Sequence, residues 1–196
     1  MPNETITIDV SSLNRIASGL SNFEKEIPGA VSSSLNRTVD FMNTRVGKLV
    51  SGEYEITAKD VKKTITKIKS SKGTLKAGIK STGGTLTFSH FKFTPKSPGS
   101  RGKVKVRVKK REGYKEIKTT QGVFVQVING VTQLVTRTSR GRLPINILRT
   151  LSVPQMIQSA NVGNVIQEEA SKKLEERVQH EIEYRLNKIR GWLDDR

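Results

Sequence analysis

The stretch Lys103-Val-Lys-Val-Arg-Val-Lys-Lys-Arg111 alternates basic and apolar residues over its first seven positions. A period of two predicts a half-buried β-strand, because successive side chains of a strand point to opposite faces of a sheet. The valines are then expected in a core, and the basic side chains on the other face, about 6.6 Å apart. Four residues form this predicted basic row: Lys103, Lys105, Arg107 and Lys109.

The basic row has two interpretations, and Lys110 and Arg111 extend it under both. A row of cations neutralises phosphates without reading base edges, which predicts non-specific, salt-sensitive contact with DNA, or docking on an acidic neighbouring protein. Alternatively, lysines on an edge strand protect that strand from aggregation. The two interpretations are compatible, and the sequence leaves both open.

Charge is concentrated in the middle of the chain. The 196 residues hold 35 Lys and Arg against 18 Asp and Glu, a formal net charge of +17. Residues 59–150 carry net +20, whereas residues 1–58 carry −2 and residues 151–196 carry −1. Such asymmetry indicates that the middle segment faces DNA, RNA or an acidic protein surface.

The N-terminal part has a helical pattern. Apolar residues recur at three- and four-residue spacing in 13–27 and again in 31–49, with Pro28-Gly29 as a kink or break between the two runs. Ser51-Gly52 is expected to end the second helix. The segment Thr57-Ala-Lys-Asp60 then resembles a capping box for a short helix through about Thr64.

The C-terminal part returns to a helical pattern. Ser152-Val153-Pro154 is typical of a helix start, with proline in the first turn. An apolar stripe from Val162 to Leu193 predicts a helix of up to about 35 residues, or about 50 Å. A helix of this length is expected to pack on the N-terminal helix or on a neighbouring subunit.

Strands are predicted between the helical parts. Residues 75–79 and 86–88 alternate in the manner of strands, and the runs 122–128 and 131–137 flank Asn129-Gly130, a dipeptide that suits a two-residue hairpin turn. The Pro- and Gly-rich stretch 94–102 is expected to be a mobile loop.

Together these elements predict an α+β fold with long N-terminal helices, a central basic antiparallel β-sheet with a hairpin at 123–136, and a long C-terminal helix. We expect a single domain over residues 1–196. Its helical part is 1–56, its basic β-rich part is 57–150, and its C-terminal helix lies in 151–196.

The sequence shows little that points to catalysis. It has no cysteine and two histidines, His90 and His180, and residues 59–150 hold three carboxylates. The stretch 73–81 resembles a phosphate loop but has Ile79 where that loop requires lysine. We therefore expect no enzyme, no cofactor and no metal. The N-terminus lacks a signal-peptide pattern and no apolar run approaches a membrane span, so we also expect no export and no membrane.

Several motifs resemble the minor tail protein Z family of long-tailed bacteriophages. The most specific are Arg142-Leu143-Pro144-Ile145 and, seven residues later, Ser152-Val153-Pro154-Gln155-Met156. Ser34-Leu-Asn-Arg37 on an early helix and Glu53-Tyr-Glu-Ile56 leading into Lys59-Asp-Val-Lys-Lys63 are also similar to the family. The resemblance extends over most of the chain.

The resemblance implies a structural virion protein at the head-proximal end of the tail, the neck, that completes the tail and joins it to the head. Such proteins act as rings, usually of six subunits, stacked on the tail tube and tail terminator below the head connector. The implied location is the virion neck, after assembly in the host cytoplasm. The basic row would then line a channel for genomic DNA, by non-specific contact, or dock an acidic ring.

The resemblance also suggests a role for residues 142–156. They would form a proline-fixed linker from sheet to long helix, with Leu143 and Met156 as packing anchors, either at a subunit interface or within the chain. A different class of function stays open as the alternative: a sequence-independent nucleic-acid-binding protein of the ribosomal or chromatin type.

Overall fold

The computed structural model describes residues 3–7, 27–99 and 103–194, which fall into two compact units. The strand-rich unit holds Gly47–Thr64 and Thr82–Ala160. The helical unit holds the described residues of Asn3–Val46, Ile65–Ser81 and Asn161–Arg196. The expectation of a single domain stays a prediction.

The described elements confirm the α+β fold class. A 3₁₀ turn at Phe88–His90 lies between the third and fourth strands. In chain order the helices and strands are β1 (Asn3–Thr7), α1 (Ile27–Glu53), α2 (Ala58–Lys63), β2 (Ile65–Ile68), β3 (Gly78–Thr82), β4 (Lys92–Thr94), β5 (Lys105–Arg107), β6 (Lys115–Glu116), β7 (Val123–Ile128), β8 (Val131–Arg137), β9 (Ile145–Ile147), α3 (Val153–Ser159) and α4 (Val162–Asp194).

Helix α1 confirms the stripe predicted over 31–49. Leu35, Val39, Met42 and Val46 recur at helical spacing, and all four are fully buried. Pro28 lies in the first turn, where its missing N–H costs nothing, so Pro28-Gly29 belongs to the start of α1. The helix predicted over 13–27 lies almost wholly outside the described residues.

Helix α4 runs antiparallel to α1 within the helical unit. The guanidinium of Arg45 donates two hydrogen bonds of 2.6 Å each to the carboxylate of Glu169. Eight residues earlier on α1, Arg37 lies 3.2 Å from Glu181, which is twelve residues further along α4. The expectation that the terminal helix packs on the N-terminal helix is confirmed.

The C-terminal helical part contains two helices where the sequence predicted one. Ser152 caps α3 through a capping box with Gln155, as expected of a helix start. Helix α3 ends at Ser159, and Asn161 has a φ of 53°, a left-handed conformation that cannot continue a helix. The long helix α4 begins after this residue.

The predicted central sheet is divided into three three-stranded sheets, with orders β1-β3-β2, β4-β5-β6 and β7-β8-β9. The strand predicted at 86–88 is reduced to an isolated antiparallel bridge between Thr87 and Arg149, because the 3₁₀ turn begins at Phe88. The hydroxyls of Thr87 and Ser89 lie 2.6 Å apart, and the N–H of Phe91 donates to the carbonyl of Phe88. Such local bonds compete with a strand ladder.

The hairpin is confirmed at the predicted residues. Strands β7 and β8 pair from Val123 opposite Thr136 to Ile128 opposite Val131. Asn129 and Gly130 have φ of 51° and 75°, the left-handed conformation that a two-residue turn of this type requires at both positions.

Met156 tests the packing of α3. Its side chain is fully buried, so Met156→Ala should leave a cavity and lower the free energy of unfolding by about 3 kcal/mol. Urea denaturation followed by circular dichroism measures this change. Leu143→Ala is the matched control, because Leu143 is 70% exposed and its truncation should cost under about 0.5 kcal/mol. Equal losses in the two variants would contradict the packing.

Candidate polyanion-binding site

Strand β5 is the middle strand of its sheet. Lys92 and Thr94 of β4 lie opposite Arg107 and Lys105, and Glu116 of β6 lies opposite Lys105 on the other side. Because β5 is paired along both edges, the interpretation of the basic row as protection of an edge strand is wrong for this strand.

The predicted alternation is present in the β4-β5-β6 sheet. The inner face buries Phe93, Val104 and Val106. The N–H of Ile117 donates to the carbonyl of Val104, which extends the register so that Lys118 lies opposite Lys103. The outer face, called here the cationic face, is formed by Lys92, Lys103, Lys105, Arg107, Tyr114, Glu116 and Lys118.

One end of the cationic face is partly neutralised by Glu55, which follows α1. One carboxylate oxygen of Glu55 lies 2.7 Å from Nζ of Lys92, and the other lies 2.5 Å from a guanidinium nitrogen of Arg107. The Glu55 side chain is 9% exposed. Its pKa is lowered, mainly by the hydrogen bond from Lys92 and further by Arg107, against the opposing effect of burial.

Backbone bonds hold Glu55 in this position. Its N–H donates to the carbonyl of Val108 over 2.8 Å, and the N–H of Lys110 donates to the carbonyl of Glu53 over the same distance. The guanidinium of Arg107 also lies over the ring of Tyr114, 5.5 Å from its centroid. The sequence does not predict Glu55 as a site residue. Glu55 is recognised there only as part of the Glu53–Ile56 motif that resembles the family.

Two further residues of the predicted row also make contacts inside the chain. Nζ of Lys109 lies 5.8 Å from the ring centroid of buried Tyr54 and 3.6 Å from Glu112. Nζ of Lys110 donates to the carbonyl of Ser51 over 2.6 Å. Arg107, Lys109 and Lys110 therefore stabilise the strand-rich unit.

The other end of the cationic face is open. Lys103 is 74% exposed and 3.5 Å from Glu116. Lys105 and Lys118 are exposed and have no ion-pair partner within the described part of the chain, and the same holds for Arg111 nearby in sequence. Of Lys103, Lys105 and Lys118, Lys103 alone has a carboxylate within 4 Å among the described residues, and this open end can bind a polyanion without selecting a base sequence.

Residues 142–156 divide into an exposed and a buried part. Arg142, Leu143 and Pro144 are exposed, whereas Ile145 begins β9 and pairs with Arg137. Val153, Pro154 and Met156 are buried in the strand-rich unit. Met156 is therefore an internal anchor, Leu143 is not, and the predicted linker contains a strand and a helix.

Neither histidine belongs to a metal-ligand cluster. Among the described residues there is no group of three His, Cys, Asp or Glu side chains that could hold a metal ion. His90 lies in the 3₁₀ turn, and His180 is exposed on α4. Within the same residues, no helix is long and apolar enough to cross a bilayer.

The described residues form an α+β fold that exposes a cationic face, which favours a structural or binding role. The family model of prophage minor tail protein Z (GPZ) matches residues 10–190. The chain belongs to this family, and it is a non-enzymatic structural protein of the phage tail that interacts with other tail proteins. Searches of curated proteins and of solved structures give no significant match.

Glu55→Gln tests the neutralised end of the cationic face. The amide cannot neutralise Lys92 and Arg107, so the free energy of unfolding at pH 7 should fall by about 2 kcal/mol. The folded pKa of Glu55 lies below its ordinary value of 4.5. Its stabilisation is therefore complete above about pH 4.5 and is lost as the pH falls through the lowered pKa.

The difference in unfolding free energy between the native chain and Glu55→Gln should accordingly narrow in urea titrations as the pH is lowered from 7 through the lowered pKa of Glu55. Glu112→Gln is the control, because Glu112 pairs with Lys109 and Lys115 at the surface and its loss should cost much less than that of Glu55. A pH-independent difference for Glu55→Gln would contradict the ion-pair role.

Proposed function

We propose that this tail protein is located at the head-proximal end of the tail, where it completes the tail and joins it to the head. Six copies form a ring between the tail terminator and tail tube on one side and the head connector on the other. The ring assembles in the host cytoplasm, and genomic DNA passes through it. The cationic face lines this passage.

The observation that carries this proposal is the open end of the cationic face. Strand pairing fixes the backbone at Lys105, and the bond from the N–H of Ile117 to the carbonyl of Val104 extends this order toward Lys103 and Lys118, which lowers the ordering cost on binding. One carboxylate for three lysines leaves net positive charge. A surface that lets DNA slide needs charge without base-specific contacts, and this face has that composition.

Family membership favours this role over the alternative of a ribosomal or chromatin protein.

The exposed side chain of Leu143 supports the proposed self-association. It is a large apolar side chain, 70% exposed, and its neighbours Arg142 and Pro144 are exposed as well. We place these three residues at a contact between subunits, because exposed apolar side chains of this size contribute most when a partner covers them.

The charge prediction uses Lys103→Glu/Lys105→Glu/Lys118→Glu. The triple variant should fold normally, because none of these lysines supports the core, but the titre of infectious phage should fall at least about 100-fold through repulsion of DNA. Arg107 is left unchanged, since a glutamate there would face Glu55. Plaque assays and electron microscopy of the particles measure the effect.

The control triple is Lys63→Glu/Lys172→Glu/Lys173→Glu, which makes the same charge change at helix positions already paired with carboxylates. Its titre should stay within about threefold. Particles that lack the protein should show heads and tails that fail to join. Normal infectivity without the protein would exclude the neck role, and a normal titre of the first triple would exclude the DNA-facing role of the open end.

The subunit contact is tested by Leu143→Ser. The variant should retain the unfolding free energy of the native monomer within about 0.5 kcal/mol, but it should shift the ring toward monomer in native mass spectrometry. Met156→Ala is the contrasting variant, with a less stable monomer and unchanged surface chemistry. An unaltered ring in Leu143→Ser would place the contact elsewhere.

A further inference from the structure

The connection between β2 and β3 contains a tight turn with lysine at its tip. The N–H of Ser71 donates to the carbonyl of Thr74, and the N–H of Thr74 donates to the carbonyl of Ser71, both over 3.1 Å. Lys72 and Gly73 are the two residues between them. The Ser71 hydroxyl accepts a further bond of 3.1 Å from the N–H of Thr74. This turn is therefore closed by three bonds.

The turn is also fixed to helix α1. The Asn36 side chain donates to the carbonyl of Ser70 over 3.0 Å and accepts from the N–H of Ser70 over 2.8 Å. Ser70 is buried, and its hydroxyl donates to the carbonyl of Thr74 over 2.9 Å. A bidentate amide on a helix and a buried serine thus set the position of the turn before any partner binds.

The side chains that this scaffold presents are cationic. Lys69, Lys72 and Lys76 are exposed, and none has a carboxylate within 4 Å in the described part of the chain. Lys67, on β2 just before the turn, behaves differently, because it lies 2.5 Å from Asp40 of α1. The chain neutralises the lysine beside the helix and leaves the three lysines of the turn uncompensated.

We propose that Lys69, Lys72 and Lys76, called here the lysine turn, bind the phosphate backbone of duplex DNA. The turn offers ammonium groups and the hydroxyls of Ser71 and Thr74, which are the groups that contact phosphates. It presents no exposed aromatic or arginine side chain, the residues that anchor protein partners. The lysine turn shares no residue with the cationic face, and its biological use rests on the proposed passage of DNA.

The test measures binding of the full chain to two fluorescent 20-base-pair duplexes of unrelated sequence, by anisotropy between 30 and 200 mM salt. Lys69→Gln/Lys72→Gln/Lys76→Gln should weaken binding at least about tenfold at low salt. It should also reduce the slope of log K against log salt by about 2 to 3, since each lost phosphate contact removes about 0.9. Both duplexes should respond equally.

The control, Lys63→Gln/Lys172→Gln/Lys173→Gln, lowers the net charge by the same amount but removes lysines that already have carboxylate partners. It should change affinity less than about threefold. Equal losses in the two triples would show a net-charge effect and overturn the proposal, and so would an unchanged slope or no binding by the native chain at 30 mM salt.

A parallel titration with polyglutamate separates DNA from an acidic protein. Binding of polyglutamate that depends on the lysine turn more strongly than binding of duplex would overturn the DNA assignment. These outcomes are independent of the particle experiments. Normal head–tail joining without the protein would reject the neck role, whereas unaltered duplex binding by the turn variant would reject the lysine turn alone.

Discussion

The strand-rich unit depends on one buried carboxylate. Lys92 and Arg107 lie directly opposite each other on adjacent strands, an arrangement of like charges that destabilises a sheet unless an anion lies between them. Glu55 supplies that anion, and its backbone bond to Val108 joins the end of α1 to the sheet. Docking of the segment after α1 therefore stabilises the sheet, which couples helix and sheet through electrostatics.

The parts of the fold that the sequence predicted correctly depend on near neighbours. The alternation of 103–109, the left-handed pair Asn129-Gly130 and the caps at Thr57 and Ser152 are determined within a few residues. The predictions from sequence are wrong where tertiary contacts or local hydrogen bonds between side chains determine the backbone structure. Residues 86–88 alternate like a strand, yet Thr87 and Ser89 bond to each other, and a single left-handed residue, Asn161, divides the predicted terminal helix.

The candidate site shows the same difference between features that near neighbours determine and features that tertiary contacts determine. Alternation correctly predicts which basic residues share a face, but it carries no information on what lies opposite them. Glu55 is 52 positions from Arg107 in sequence, so the ion pair at this end of the cationic face could be identified only from the fold. The lysine turn could not be predicted from the sequence for a related reason. Its backbone is held in position by Asn36, which lies 34 residues before Ser70 in the chain.

Positive charge without nearby carboxylates lowers the stability of the folded chain, and this effect is relevant to assembly. The basic side chains of residues 59–150, which carry a net charge of +20, repel one another, and this repulsion destabilises a compact chain. Arg107 and Lys67 each have a carboxylate oxygen 2.5 Å away, which offsets part of this repulsion. Lys105 on a paired strand and Lys72 at the tip of a bonded turn have no such partner within the described part of the chain. In the proposed function, an anionic partner offsets this repulsion in the assembled tail.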